Sequence, residues 1–241
     1  MKKLSIKISK IFSLYSLIIS IIGLGIISFL TFNQSISKIA LPFQRQIIGL
    51  IFASICSLGI IAGISPKRCS QRIHSRIPKK EQITLKDERI KGHHPVCENF
   101  SNHVVKFGKR TYCIGCIGMV TGAIISLVGS IFYFFTDSHF GNFNVIIFLL
   151  GFLEILYGLT FFSLINVGKI TRFFSNVIYV IGAFFLLVGI DGITNNFLLE
   201  FYLIIVIIFW IIARITLSQY KHRKICDICA LGSCIFNEKE N

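Results

Sequence analysis

Six apolar runs alternate with polar segments along the chain: Ile11–Phe32, Ile47–Ile64, Ile117–Phe135, Phe143–Ile165, Phe173–Ile190 and Phe197–Leu217. Each approaches or exceeds the roughly 20 residues that a helix needs to cross a hydrocarbon layer. None holds more than one acidic residue, and Pro is absent from all of them. The pattern predicts an all-α fold, a polytopic helical membrane bundle of about six transmembrane helices. Transmembrane helices 1 and 2 occupy residues 1–64, a basic Cys/His-rich loop 65–116, helices 3–6 residues 117–217, and a Cys-containing tail 218–241. The first run follows Met1-Lys2-Lys3 as a secretory signal would, but it is longer than a signal's apolar region and lacks a small-x-small cleavage site. It reads as an uncleaved span.

Composition agrees with a bilayer as solvent. The mean hydropathy is +0.73, and only 15% of residues are charged, against about 25% in soluble domains. Too few polar side chains remain to cover a globule.

The net charge of +14 would point to nucleic acid on a soluble protein. Its placement gives another reading. Lys2, Lys3, Lys7 and Lys10 precede the first span, and twelve Lys and Arg lie between Lys67 and Arg110. Lys169 and Arg172 fall between spans 4 and 5, and Arg214, Lys221, Arg223, Lys224 and Lys239 lie at or beyond the end of span 6. The opposite connections hold only Lys38 and Arg45. Basic and bare sides alternate across all six spans, which predicts a multi-pass cell-membrane protein with both termini cytosolic. The bilayer is then the first partner, and the basic loop 67–110 can contact anionic lipid. No basic domain with stacking aromatics is present, so no nucleic-acid partner is expected.

Within the spans, Gly118, Gly122, Ser126 and Ser130 recur every fourth residue. Lipid is as apolar as Leu, so membrane helices associate by close approach along such small-residue stripes. The third span is therefore expected near the bundle centre. Gly49, Ala53 and Ser57 form a weaker stripe on the second, and Cys56 beside them reads as a packing residue. Glu154, mid-span 4, is expected to turn into the bundle, either bonded to a neighbouring helix or as a proton or cation relay. Asp191 and Glu200, near span ends, are expected to reach headgroups.

The candidate chemistry lies in two clusters on the predicted cytosolic side. Residues 92–116 read GHHPVCENFSNHVVKFGKRTYCIGC, and the tail contains KICDICALGSC. Disulfides do not persist in the cytosol, so clustered cysteines there bind metal or exchange electrons. Cys113 and Cys116 have the spacing that lets two thiolates grip one tetrahedral ion from a single turn. Cys226 and Cys229 repeat it, with Cys234 following.

Three ligand sets are open. The loop can close a site from Cys97, Cys113 and Cys116 with His94 or His103; the two C-x-x-C pairs can share one ion; or two ions bind. Zinc suits such donors, as does an iron–sulfur centre. A structural metal would supply folding energy to a loop without apolar periodicity. The rival is a thiol or iron–sulfur oxidoreductase using Cys113 and Cys116 at a helix N-terminus. A third reading is a small metal-ion or proton-coupled transporter using Glu154. His74, His139 and His222 read as surface residues. No nucleotide loop, hydrolase triad or membrane-protease pair is evident, which points away from an enzyme.

Cys113, Cys116, Gly118 and Gly122 together form Cys-x-x-Cys-x-Gly-x-x-x-Gly entering a membrane helix. This resembles the hallmark of a prokaryotic family of multispanning membrane proteins of uncharacterised activity. Cys97, the Phe107-Gly108 pair and the His94-Pro95-Val96-Cys97 element are similar to features of that family. The chain has Gly115 where many members have Arg, and Val120 where they show an aromatic. The resemblance implies that the cysteines and glycines act as one unit, a metal or thiol centre packed under the third span.

Overall fold

The computed structural model describes residues 2–33, 42–64, 90–91, 94–95, 103–107, 110–136, 140–164 and 168–228, with side chains over 14–33, 42–64, 103–105, 112–136, 140–160 and 168–218. The helices are α1 (Lys2–Phe32), α2 (Gln44–Ile64), α3 (Ile114–Phe135), α4 (Asn144–Leu164), α5 (Lys169–Thr194) and α6 (Phe197–Ile228). All six are long and apolar enough to cross a membrane. α6 is longer than its apolar run: the helix continues eleven residues past Leu217, where that run ends. The connection between α2 and α3 also holds two small antiparallel strand pairs, unforeseen in the sequence. β1 (Ile90–Lys91) pairs with β2 (His94–Pro95), and β3 (Val104–Phe107) pairs with β4 (Arg110–Cys113). Val104, Val105, Thr111 and Tyr112 are the β-branched and aromatic residues that favour such a ladder.

α5 is the central helix. It packs most extensively on α4 and α3, α3 packs equally on α2, and α1 lies against α6 and α4. The small-residue stripe of α3 explains one contact. A Cβ on Gly118 would lie 2.5 Å from Phe173 O, and one on Gly122 would lie 2.9 Å from Val177 O. Farther along, Ser126 Oγ donates to Val180 O at 3.4 Å and Ser130 Oγ to Gly49 O of α2 at 3.5 Å.

A second stripe builds the α4–α5 contact, and it has a different period. Gly151 and Gly158 of α4, and Gly182 and Gly189 of α5, recur every seventh residue, the spacing of a left-handed crossing. A Cβ on Gly151 would meet Gly182 O at 2.8 Å, and one on Gly189 would meet Phe148 Cα at 2.7 Å.

The end of the bundle formed by the starts of α2, α4 and α6 and the ends of α3 and α5 is tied by buried polar groups. Arg45 Nε donates to Asp191 Oδ2 at 3.1 Å, and Arg45 Nη2 donates to Tyr133 O at 3.1 Å. Tyr133 donates its hydroxyl to the same Asp191 oxygen at 2.7 Å. Gln44 Nε2 donates to Glu200 Oε1 at 2.8 Å. Asp191 and Glu200 therefore do not reach headgroups as expected: they are 4% and 0% exposed. Helix-end carboxylates turn inward here because Arg45 and Gln44 at the start of α2 supply donors. The two-residue corner between α5 and α6 is built from asparagines. Asn195 takes the left-handed conformation that closes α5, and Asn196 Oδ1 accepts from Leu198 N at 3.1 Å to open α6.

Candidate thiol and metal centre beneath the hairpin

β4 ends on Cys113, which is also the N-cap of α3, with an extended backbone at φ −73° and ψ 124°. Cys116 follows in the first helical turn. The hairpin thus delivers one thiol from a strand end and the second from a helix start. Both are partly exposed and neither is in a disulfide. Gly115 between them lies on α5: a Cβ there would be 3.5 Å from Asn176 Nδ2 and 3.8 Å from Cys113 Sγ. The first-turn N–H groups of a helix have no intrahelical acceptors and carry the positive end of its dipole. Both effects favour thiolate over thiol.

Cys113 pairs with Val104 across the ladder, which brings the preceding residue, His103, toward the same end. His103 is buried, and its Nδ1 lies 2.9 Å from Arg172 Nη1 of α5. Arg172 is also within electrostatic reach of the Cys113 thiol. A guanidinium only donates, so His103 Nδ1 accepts, and a neutral ring then carries its proton on Nε2. A histidine that binds metal through Nε2 needs the opposite tautomer, with Nδ1–H donating to an acceptor. The expectation of His103 as a ligand therefore meets a competing use: the ring anchors the hairpin to α5.

Below this anchor a polar thread enters the bundle. Asn176 Nδ2 donates to Arg172 O at 2.6 Å, and Arg214 Nη2 of α6 donates to Asn176 Oδ1 at 2.6 Å. The Arg214 guanidinium stacks over the Tyr179 ring, 4.2 Å from its centroid. Sequence reading counted Arg172 and Arg214 only as topological charges. The available signal was the position of Arg214 inside an apolar run, where an ionisable residue marks a function or a buried partner.

Among the described residues, no three His, Cys, Asp or Glu side chains are grouped to hold a metal ion. The ligand candidates are divided. His94 lies in β2, where its backbone pairs with Lys91. Cys97, Cys229 and Cys234 lie outside the described residues. Cys226 lies in the last turn of α6, nine residues past Leu217, where the apolar run ends, a rise of about 14 Å. Cys113, by contrast, immediately precedes the apolar window that begins at Ile114. That offset along the bundle axis sets Cys226 and Cys113 at different heights.

Glu154 packs its Cβ against Gly182, where an added Cβ would lie 2.7 Å away. It is partly buried, and its Oε2 has no hydrogen-bond partner. The expected helix–helix hydrogen bond is not formed by that oxygen. Cys56 is buried among apolar side chains, as expected of a packing residue.

The chain matches no protein-family model, no curated protein and no solved structure.

Proposed function

We propose that the chain is a six-span cell-membrane protein with cytosolic termini, whose hairpin centre binds a zinc-type metal ion that orders the loop and serves as a structural or sensing module. The observation that carries this reading is the hairpin itself. β4 hands Cys113 to the start of α3 with Cys116 one turn on, so two thiols share one face at metal-ligand spacing. Cys97 and His94 complete the proposed set. His94 is preferred to His103 because Arg172 occupies the His103 ring. Cys226, Cys229 and Cys234 form, in this reading, a second site on the extension of α6 rather than the remaining ligands of the first.

Elemental analysis of detergent-purified protein tests it. One equivalent of zinc, lost in Cys113→Ser and in His94→Ala but kept in His103→Ala, is the expected result. Metal-free protein as purified refutes it.

One observation favours a second reading. Arg172 beside Cys113 at a helix N-terminus stabilises a thiolate whether or not metal binds. In that reading Cys113 attacks a partner disulfide and Cys116 resolves the mixed disulfide, leaving the pair oxidised and the partner a dithiol. Rapid alkylation of Cys113 in metal-free protein supports this thiol oxidoreductase instead, whereas iron with visible absorption supports an iron–sulfur one.

A further inference from the structure

Three buried oxygens at one end of the bundle have no hydrogen-bond partner: Asn144 Oδ1 of α4, Asp191 Oδ1 of α5 and Glu200 Oε2 of α6. Their residues are 7%, 4% and 0% exposed. Asn144 opens α4, Asp191 lies three residues before the end of α5, and Glu200 lies three after the start of α6. Each is thus within about 5 Å of a helix end. The three residues are also neighbours. A Cβ on Gly192, beside Asp191, would fall on the Asn144 carboxamide. That carboxamide donates through Nδ2 to Gly192 O at 3.1 Å, which leaves its oxygen as the unused atom. Glu200 is within electrostatic reach of both Asp191 and Arg45.

Charge and donor type select the ligand. Among the described side chains at this end, Arg45 is the one cation, and it meets two carboxyl groups; Lys38 lies outside the described residues. With both carboxyls ionised the buried set carries one net negative charge, which burial away from water makes costly. A water supplies two protons but no charge. A proton supplies the charge but serves only the oxygen that takes it and one acceptor. A monovalent metal ion supplies one charge and takes several oxygens at once. The donors are all oxygens, which suit hard cations rather than zinc. We propose that the ends of α4, α5 and α6 bind one alkali cation, with Asn144 Oδ1, Asp191 Oδ1 and Glu200 Oε2 as its side-chain ligands. The ion enters from the side that charge placement predicts to be non-cytosolic, within one helical turn of the bundle end.

Binding of radiolabelled Na+ to the full chain in uncharged detergent tests the site, with thermal melting in NaCl against choline chloride at equal ionic strength as a second readout. Saturable binding of one ion per chain is expected, with a melting temperature that rises with Na+ and not with choline. Glu200→Gln, which removes the excess charge and keeps the shape, abolishes both effects. Asn144→Ala weakens binding severalfold. Glu154→Gln, which removes a membrane carboxyl outside the site, leaves binding unchanged. If Glu200→Gln does not fold, the wild-type stoichiometry and the contrast between Asn144→Ala and Glu154→Gln decide. Melting that ignores the cation, or Na+ binding that survives Glu200→Gln, overturns the site. Ca2+ binding tighter than Na+ overturns the monovalent assignment. No Na+ binding, together with a melting temperature that rises on acidification in wild type and not in Glu200→Gln, overturns the metal ion and leaves a proton on Glu200.

Discussion

Arg172 Nη1 lies 2.9 Å from His103 Nδ1, so a charged side chain of α5 holds the ring of the residue that leads into the hairpin. The contact joins the strand pair β3–β4 to the central helix of the bundle. It also gives one histidine of the loop, His103, an anchoring role.

Removing the guanidinium should loosen the hairpin. A hydrogen bond to a charged group contributes about 1.5–3 kcal/mol, and the lower figure corresponds to roughly a tenfold change in a local opening equilibrium. Arg172→Met is expected to speed amide exchange over Val104–Cys113 by about tenfold. Lys169→Met, an exposed position one turn earlier, should leave that exchange unchanged. Equal protection in wild type and Arg172→Met would show that the hairpin docks by other contacts.

The stripe of α3 makes a prediction with a built-in control. Gly122→Leu forces a side chain into Val177 O and Val180 Cβ, 2.9 Å and 3.0 Å from the nearest new atom. Overpacking of this kind costs about 1–3 kcal/mol or more, since backbone must move. Gly25 of α1 has nothing within 4 Å of an added Cβ, and Ala there gains up to about 1 kcal/mol of helix propensity. Thermal melting in detergent should fall for Gly122→Leu and hold or rise for Gly25→Ala. The reverse order would remove α3 from the bundle interior.

These two helices also show what the sequence disclosed. The spans were legible because apolar runs of sufficient length admit few other folds, and the α3 stripe because four-residue spacing repeats in one run. The α4–α5 contact escaped notice. Its glycines recur at seven, and each pair gains meaning only when Gly151 and Gly182 are seen to face each other. The hairpin escaped because two four-residue strands carry no periodic signal of their own. Asp191 and Glu200 misled for a related reason: a carboxylate at a helix end reaches water unless another helix brings donors to it. Gln44 and Arg45 do so from 156 and 146 residues away in sequence. The clustered cysteines were legible as a motif but not as a site, because spacing along the chain does not fix height along the bundle.

The Arg45–Asp191 pair should behave as a buried ion pair. The side chains are 18% and 3% exposed, and the Asp191 oxygen that accepts from Arg45 also accepts from Tyr133. Removing one member strands the other, at about 3–5 kcal/mol. Arg45→Met is therefore expected to be strongly destabilising, and Arg45→Met with Asp191→Asn to recover much of the loss. A double-mutant cycle by detergent unfolding checks the sign. Additive losses would mean that the two side chains stabilise the fold independently.

The two thiol-bearing segments should respond alike to a reagent confined to one side of the membrane. Cys113 precedes α3 and Cys226 lies on the far extension of α6, so four helices separate them. Contacts fix which helix ends coincide. Gly118 at the start of α3 meets Phe173 and Asn176 at the start of α5, and Arg214 near the end of the apolar window of α6 bonds the same Asn176. The start of α3, the start of α5 and the end of that window therefore share one end of the bundle, as an even number of crossings requires. Charge placement predicts that end to be cytosolic. In variants that keep either Cys113 or Cys226 with every other cysteine changed to Ser, an impermeant maleimide should spare both in intact cells and label both after permeabilisation. Labelling of one and not the other in intact cells contradicts the packing of α3 and α6 on α5. Labelling of both contradicts the orientation alone and leaves the bundle standing.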